Sequence, residues 1–168
     1  MKNEFIPDMQ KFVVRQSVGA SAMRGQGTNV LLNVHQFLDV LSLGTLKARS
    51  RDEYLVWLDQ YTNDLLKSAK TWGAARKALN LFMRSALYNC YLKRKYGLGR
   101  FERWMEIPLD GIVVTKLRRL FFNQLPVWRG VKYLKRKDSD SFQRAASCLA
   151  IDNQITTVHQ DIFLWVRD

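Results

Sequence analysis

The chain has 168 residues and carries 27 Lys/Arg against 15 Asp/Glu, a formal net charge of +12. Its 47% apolar and 12% aromatic content predicts one packed domain over residues 1–168 and excludes a disordered chain. No uninterrupted apolar stretch approaches the ~18 residues of a membrane span, and Met1-Lys2-Asn3-Glu4-Phe5-Ile6-Pro7-Asp8 lacks the basic start and apolar run of a signal peptide. The expectation is therefore a cytoplasmic protein with no membrane partner, nucleoid-associated if prokaryotic.

Along the chain, residues 1–27 read as an irregular N-terminal segment, broken by Gly19, Gly25 and Gly27, with Phe12-Val13-Val14 able to dock on the core. A first helix is expected after Thr28-Asn29, with Val30, Leu31, Val34, Phe37, Leu38 and Leu41 spaced by three and four. A second runs from about Asp52 to Ser68, with Tyr54, Leu55, Leu58, Tyr61 and Leu65 on one face. The third is expected from Trp72 or Gly73 to Tyr96, where Gly97-Leu98-Gly99 stops it. Its apolar stripe is Trp72, Ala75, Leu79, Phe82, Met83, Ala86 and Cys90, which leaves Lys77 on the opposite, polar face with Gly73, Asn80, Arg84 and Tyr88. After a short segment at Phe101–Trp104, Pro108 blocks helix propagation and Asp110 caps a helix through Leu120 or Phe122. Val127–Lys137 is a basic connection, followed by helices near Ser139–Ala150 and from His159-Gln160-Asp161 onward. With no strand alternation, repeat or low-complexity segment, the class is all-α: a compact multi-helix globule.

Few residue types remain for chemistry. Cys90 and Cys148 read as buried small hydrophobes, too few for a cysteine-rich metal site. His35 reads as a partly buried, satisfied histidine. His159 near Asp161 lacks any Ser or Cys nucleophile in a recognisable context, and Asp161 reads as a helix-start cap. No metal site and no cofactor are expected. Ser17-Val18-Gly19-Ala20-Ser21 with Arg24 reads as a polar loop.

Charge is the stronger signal. Residues 70–137 hold 17 Lys/Arg and only three acids, Glu102, Glu106 and Asp110. A segregated excess of this kind implies a polyanionic partner, nucleic acid first. Lys70, Arg76, Arg84, Lys93, Arg94 and Lys95 are candidates for phosphate contact, with Gly73 and Asn80 beside them and Arg118 and Arg119 on the following helix. Trp128, Arg129, Lys132 and Tyr133 interleave cations with rings that can stack on exposed bases.

Lys77 and Asp110 form the candidate catalytic pair. From Lys77 to Tyr96 a helix climbs ~28 Å at 1.5 Å per residue. The fourteen residues from Gly97 to Asp110 reach at most ~50 Å extended, so an antiparallel return can bring the carboxylate back beside the amine. Neighbouring cations and the positive end of a helix disfavour the ammonium, which poises a lysine to act as a nucleophile. Taken singly, each residue has a plainer explanation: a solvated surface lysine, and an N-cap worth ~1 kcal/mol.

Gly73-Ala74-Ala75-Arg76-Lys77-Ala78-Leu79-Asn80 resembles the start of the second motif helix in the helix-hairpin-helix DNA glycosylase superfamily. Pro108-Leu109-Asp110-Gly111-Ile112-Val113, followed by Leu117-Arg118-Arg119-Leu120, is similar to that superfamily's Val-Asp-Thr-His-Val segment and its following helix. The Lys–Asp interval most resembles the archaeal 8-oxoguanine DNA glycosylase branch. The hairpin here carries Gly73 alone where the family has Gly-x-Gly, and Gly111-Ile112 stand in place of Thr-His. The resemblance, over about residues 70–120, implies a glycosylase-like helical fold and a base-excision enzyme acting on double-stranded DNA with a flipped base. Lys77 would form a Schiff base, with possible lyase activity, and Asp110 would be the catalytic carboxylate. A non-catalytic nucleic-acid-binding protein on the same scaffold remains the alternative.

Overall fold

A computed structural model describes residues 4–27 and 29–166. Thr28, expected to lead into the first helix, and Met1–Asn3 of the N-terminal segment lie outside the described residues. The described residues contain eight α-helices joined by short 3₁₀ turns and no strand. The helices are α1 (Phe5–Ser17), α2 (Val30–Asp39), α3 (Arg51–Ala69), α4 (Trp72–Tyr88), α5 (Cys90–Tyr96), α6 (Gly111–Leu120), α7 (Arg136–Asp152) and α8 (Gln160–Val166). None is long and apolar enough to cross a membrane.

The N-terminal segment is not irregular: α1 occupies half of it. Pro7 sits in the first turn, where a missing N–H removes no helical hydrogen bond. The buried positions Gln10, Val13 and Val14 recur at three- and four-residue spacing, but a glutamine among them hides the pattern. Gln10 is satisfied by the end of α2, its amide donating to the carbonyls of Leu38 (2.8 Å) and Leu41 (2.9 Å). Arg15 adds a two-pronged ion pair to Asp39. Among the described residues of this segment, Glu4 and residues 18–27 are non-α, with a 3₁₀ turn at Ala20–Met23 and positive φ at Gly25 and Gly27.

The expected third helix is two helices. Asn89 leaves the helical region (φ −80°, ψ 115°), and its side-chain oxygen accepts from the N–H groups of Tyr91 and Leu92. It thereby caps α5 and redirects the chain, since a short amide competes with the backbone for its own hydrogen bonds. The redirection turns Cys90 off the apolar stripe and into solvent, and Cys148 is exposed on α7, so neither cysteine is the buried hydrophobe expected.

Two hydrophobic clusters organise the packing. The larger gathers α1–α5 with Leu98, Phe101 and Met105. The smaller gathers Ile107, Leu109, Val113, Val114, Leu117, Leu134, Phe142, Ala146 and Leu164 from α6, α7, α8 and their approaches. Helix α4 is buried on most of its circumference, including Arg76 and Asn80. The strand-like run into α6 is held by Gln143 of α7, which accepts from the Ile107 N–H (3.0 Å) and donates to the Ile107 carbonyl (2.8 Å). That clamp places Asp110 at the start of α6.

Candidate functional site

Helices α3 and α4 are joined by only two residues. Lys70 takes the left-handed conformation (φ 64°) that ends α3, and Thr71 caps α4, accepting from the Ala74 N–H. The Thr71 hydroxyl in turn donates to the Gln26 side chain. The first turn of α4 is covered by protein. A Cβ built on Gly73 would lie 2.1 Å from the Val131 carbonyl oxygen and 2.8 Å from Leu134. Gly73 therefore admits the 125–135 loop rather than presenting its backbone to a phosphate, which corrects its assignment as a nucleic-acid contact.

Arg76 and Asn80 are corrected in the same way. Arg76 is 3% exposed. Its guanidinium donates through Nε and one terminal nitrogen to both Glu106 oxygens (2.8 and 3.0 Å) and through the other to Asp59 (2.9 Å) and Thr62 (3.0 Å). Asn80, 2% exposed, donates to the same Glu106 at 3.0 Å. Burial opposes the charge on Arg76, but Glu106 and Asp59 outweigh it and raise its pKa. Asp59 also pairs with Arg136. The Arg76 group is a structural ion cluster, its guanidinium committed to four hydrogen bonds within the protein, and it cannot hold a phosphate.

Lys77 is half-buried at the next position. Its amine has a depressed pKa: burial removes water from the ammonium, Arg24 repels it, and Asp110 pulls the other way. The direction agrees with the sequence expectation, but the cause differs. Arg76 and Arg84 are neutralised by their own carboxylates, and the repelling cation is Arg24, brought in by the 3₁₀ turn that reads as an ordinary loop. Lys77 makes no ion pair among the described residues. Asp110 is the N-cap of α6, one carboxylate oxygen accepting from the N–H groups of Ile112 and Val113 (2.9 Å each). The two residues thus face each other electrostatically without direct contact.

Asp110 also lines a cleft of about 330 Å³ with Leu81, Arg84, Tyr88, Asp161, Ile162 and Trp165. Arg84 is ion-paired to Asp161 across it, so Arg84 is not a free phosphate ligand. Asp161 is not the expected cap: it is 1% exposed, and its second carboxylate oxygen is buried with no hydrogen-bond partner among the described residues. Beside it, the Tyr88 hydroxyl is 2.7 Å from His159 Nδ1, and His159 Nε2 is 2.9 Å from Glu102. Lys93 closes the chain at 3.5 Å from Glu102. Sequence reasoning met His159 without its partners, because they come from α4 and the turn at Leu98–Trp104. His35 is as expected, with Nε2 2.7 Å from the Val18 carbonyl.

Lys70, Arg94, Lys95, Arg119, Arg129, Lys132 and Tyr133 are exposed; Arg118 and Trp128 are half-buried. Trp128 packs edge-on against Phe142, and Lys132 lies over the Tyr133 ring at 5.7 Å. Trp128, Arg129, Lys132, Tyr133 and Lys135 line a second, polar cleft of about 690 Å³. Its loop meets α4 at Gly73 and α6 at Gly111, where a Cβ would be 3.9 Å from the Trp128 ring nitrogen. Among the described residues no three His, Cys, Asp or Glu side chains are placed to hold a metal ion.

Compared with family models, curated proteins and solved structures, the chain finds no match.

Proposed function

We propose that the chain is a base-excision DNA glycosylase with an associated lyase step, built on a helix-hairpin-helix glycosylase-like scaffold. Lys77 attacks C1′ of the damaged nucleotide, and Asp110 stabilises the cationic sugar. The observation that carries this reading is the half-buried Lys77 amine, without an ion pair among the described residues, depressed in pKa and held in the field of a carboxylate anchored at a helix start. Support comes from the two-residue α3–α4 hairpin and from the cleft beside Asp110, roomy enough for a flipped base and walled by Trp165, Ile162 and Leu81. In this reading the exposed cations of α5 and the 125–135 loop hold the flanking phosphates of double-stranded DNA.

The test is borohydride trapping of the full chain on a duplex with a pre-formed abasic site. A covalent adduct that disappears in Lys77→Gln is the expected result. Absence of an adduct with the native chain overturns the lyase reading. The alternative, a non-catalytic nucleic-acid-binding protein on the same scaffold, draws on one observation: Lys77 does not line the cleft that Asp110 lines. It predicts salt-sensitive binding that Lys77→Gln and Asp110→Asn leave unchanged.

A further inference from the structure

We propose that Tyr88 is the catalytic proton donor to the base departing from the Asp110 cleft, with His159 and Glu102 as its positioning residues. The proposal rests on the glycosylase reading above. Three elements distant in sequence converge to build the arrangement: α4 supplies Tyr88, the Leu98–Trp104 turn supplies Glu102, and the Thr157–His159 turn supplies His159. The Tyr88 ring stacks on the imidazole at 5.5 Å while its hydroxyl meets Nδ1 at 2.7 Å. Tyr88 also lines the cleft, so one side chain both contacts His159 and borders the space that would hold the base.

Glu102 decides which proton is where. Its pKa is lowered, chiefly by the hydrogen bond from His159, with Lys93 assisting, so it is an acceptor and His159 Nε2 must carry hydrogen. Only Nδ1 then varies. With neutral imidazole, Nδ1 accepts from the Tyr88 hydroxyl, which turns its proton away from the cleft. With imidazolium, Nδ1 donates to the Tyr88 oxygen and frees its O–H to point into the cleft. Burial raises the Tyr88 pKa, Arg84 opposing and Glu102 adding to the shift, and this keeps the phenol protonated for donation. The charged groups facing the pair are Arg84 and its partner Asp161, Lys93, Glu102, and Asp110 across the cleft.

The step balances without an added reactant. The C1′–N bond breaks and its electron pair leaves on the base nitrogen, which takes the Tyr88 proton. The His159 Nδ1 proton moves to the Tyr88 oxygen. The neutral Lys77 amine forms the new bond to C1′ and sheds its extra proton to water, and solvent recharges His159.

The experiment uses the full chain on duplexes carrying 8-oxoguanine, hypoxanthine or uracil and, separately, a pre-formed abasic site that needs no base departure. Tyr88→Phe should slow release of the best-cleaved base about 100-fold while retaining the borohydride-trapped adduct on the abasic duplex. His159→Gln should slow release less, lowering kcat with KM unchanged. Native-rate release by Tyr88→Phe overturns the proposal. So does loss of the abasic adduct in Tyr88→Phe, which marks a structural role, and so does release of none of the three bases by a native chain that forms that adduct. A native chain that forms no abasic adduct fails the Lys77 reading itself, a different outcome.

Discussion

Arg76 and Lys77 are neighbours on α4, about 100° apart around the helix, and the fold treats them oppositely. Arg76 is driven inward and then satisfied: two carboxylates, a hydroxyl and the Trp72 ring, 5.4 Å from the guanidinium, surround it. Lys77 loses part of its water and, among the described residues, makes no ion pair in return. A buried, paired charge welds the elements that supply its partners, here α3, α4 and the run into α6. A half-buried, unpaired charge stores instability that chemistry can use. The contrast assigns structure to the Arg76 face of α4 and leaves the Lys77 face partly open, where the proposed chemistry would sit.

Substitutions at the two faces should separate accordingly. The largest effect belongs to Arg76→Met, which strands Glu106 and Asp59 without their counter-ion and should cost about 3–5 kcal/mol in urea unfolding. A smaller loss would erase the distinction drawn between the faces. Gly73→Ala comes next: the new methyl meets the Val131 carbonyl at 2.1 Å, and displacement of the 125–135 loop should cost about 1–3 kcal/mol by the same measurement. Lys77→Met should leave unfolding free energy within about 1 kcal/mol of native yet abolish the trapped adduct. A large stability loss there would make Lys77 structural.

The subtlest test is pH. The folded-state pKa of Lys77 lies below its ordinary value of 10.5, so the unfolded chain binds the proton more tightly. Below the folded pKa both states are protonated and the penalty is complete. As pH rises from the folded pKa towards 10.5 the penalty is relieved, so native stability should gain on Lys77→Met across that window. Parallel unfolding curves for the two proteins at neutral pH and near pH 10 would show that the amine is solvated.

Much of the fold was legible. The spacing of Val30, Val34 and Leu38, the cap at Asp110 and the opening of α8 near Gln160 all follow from local patterning, because each depends on residues within a turn or two. What failed was pattern interrupted by polar residues with distant partners. Gln10 in α1 is buried because it reaches the carbonyls ending α2. Asn89 divides a periodic apolar run because its side chain caps the next turn. Arg76 and Asn80 read as surface because Glu106, thirty and twenty-six residues away, is invisible as their partner.

The sequence by itself determined an all-helical chain, the segregation of basic residues into 70–137, and the helix starts that display Lys77 and Asp110, since composition, periodicity and capping are local properties. Tertiary structure alone decided which cations are spent on carboxylates, which glycine admits a neighbouring loop, and that His159 joins Tyr88 to Glu102. Those outcomes depend on desolvation and on long-range partners, and no spacing rule encodes either.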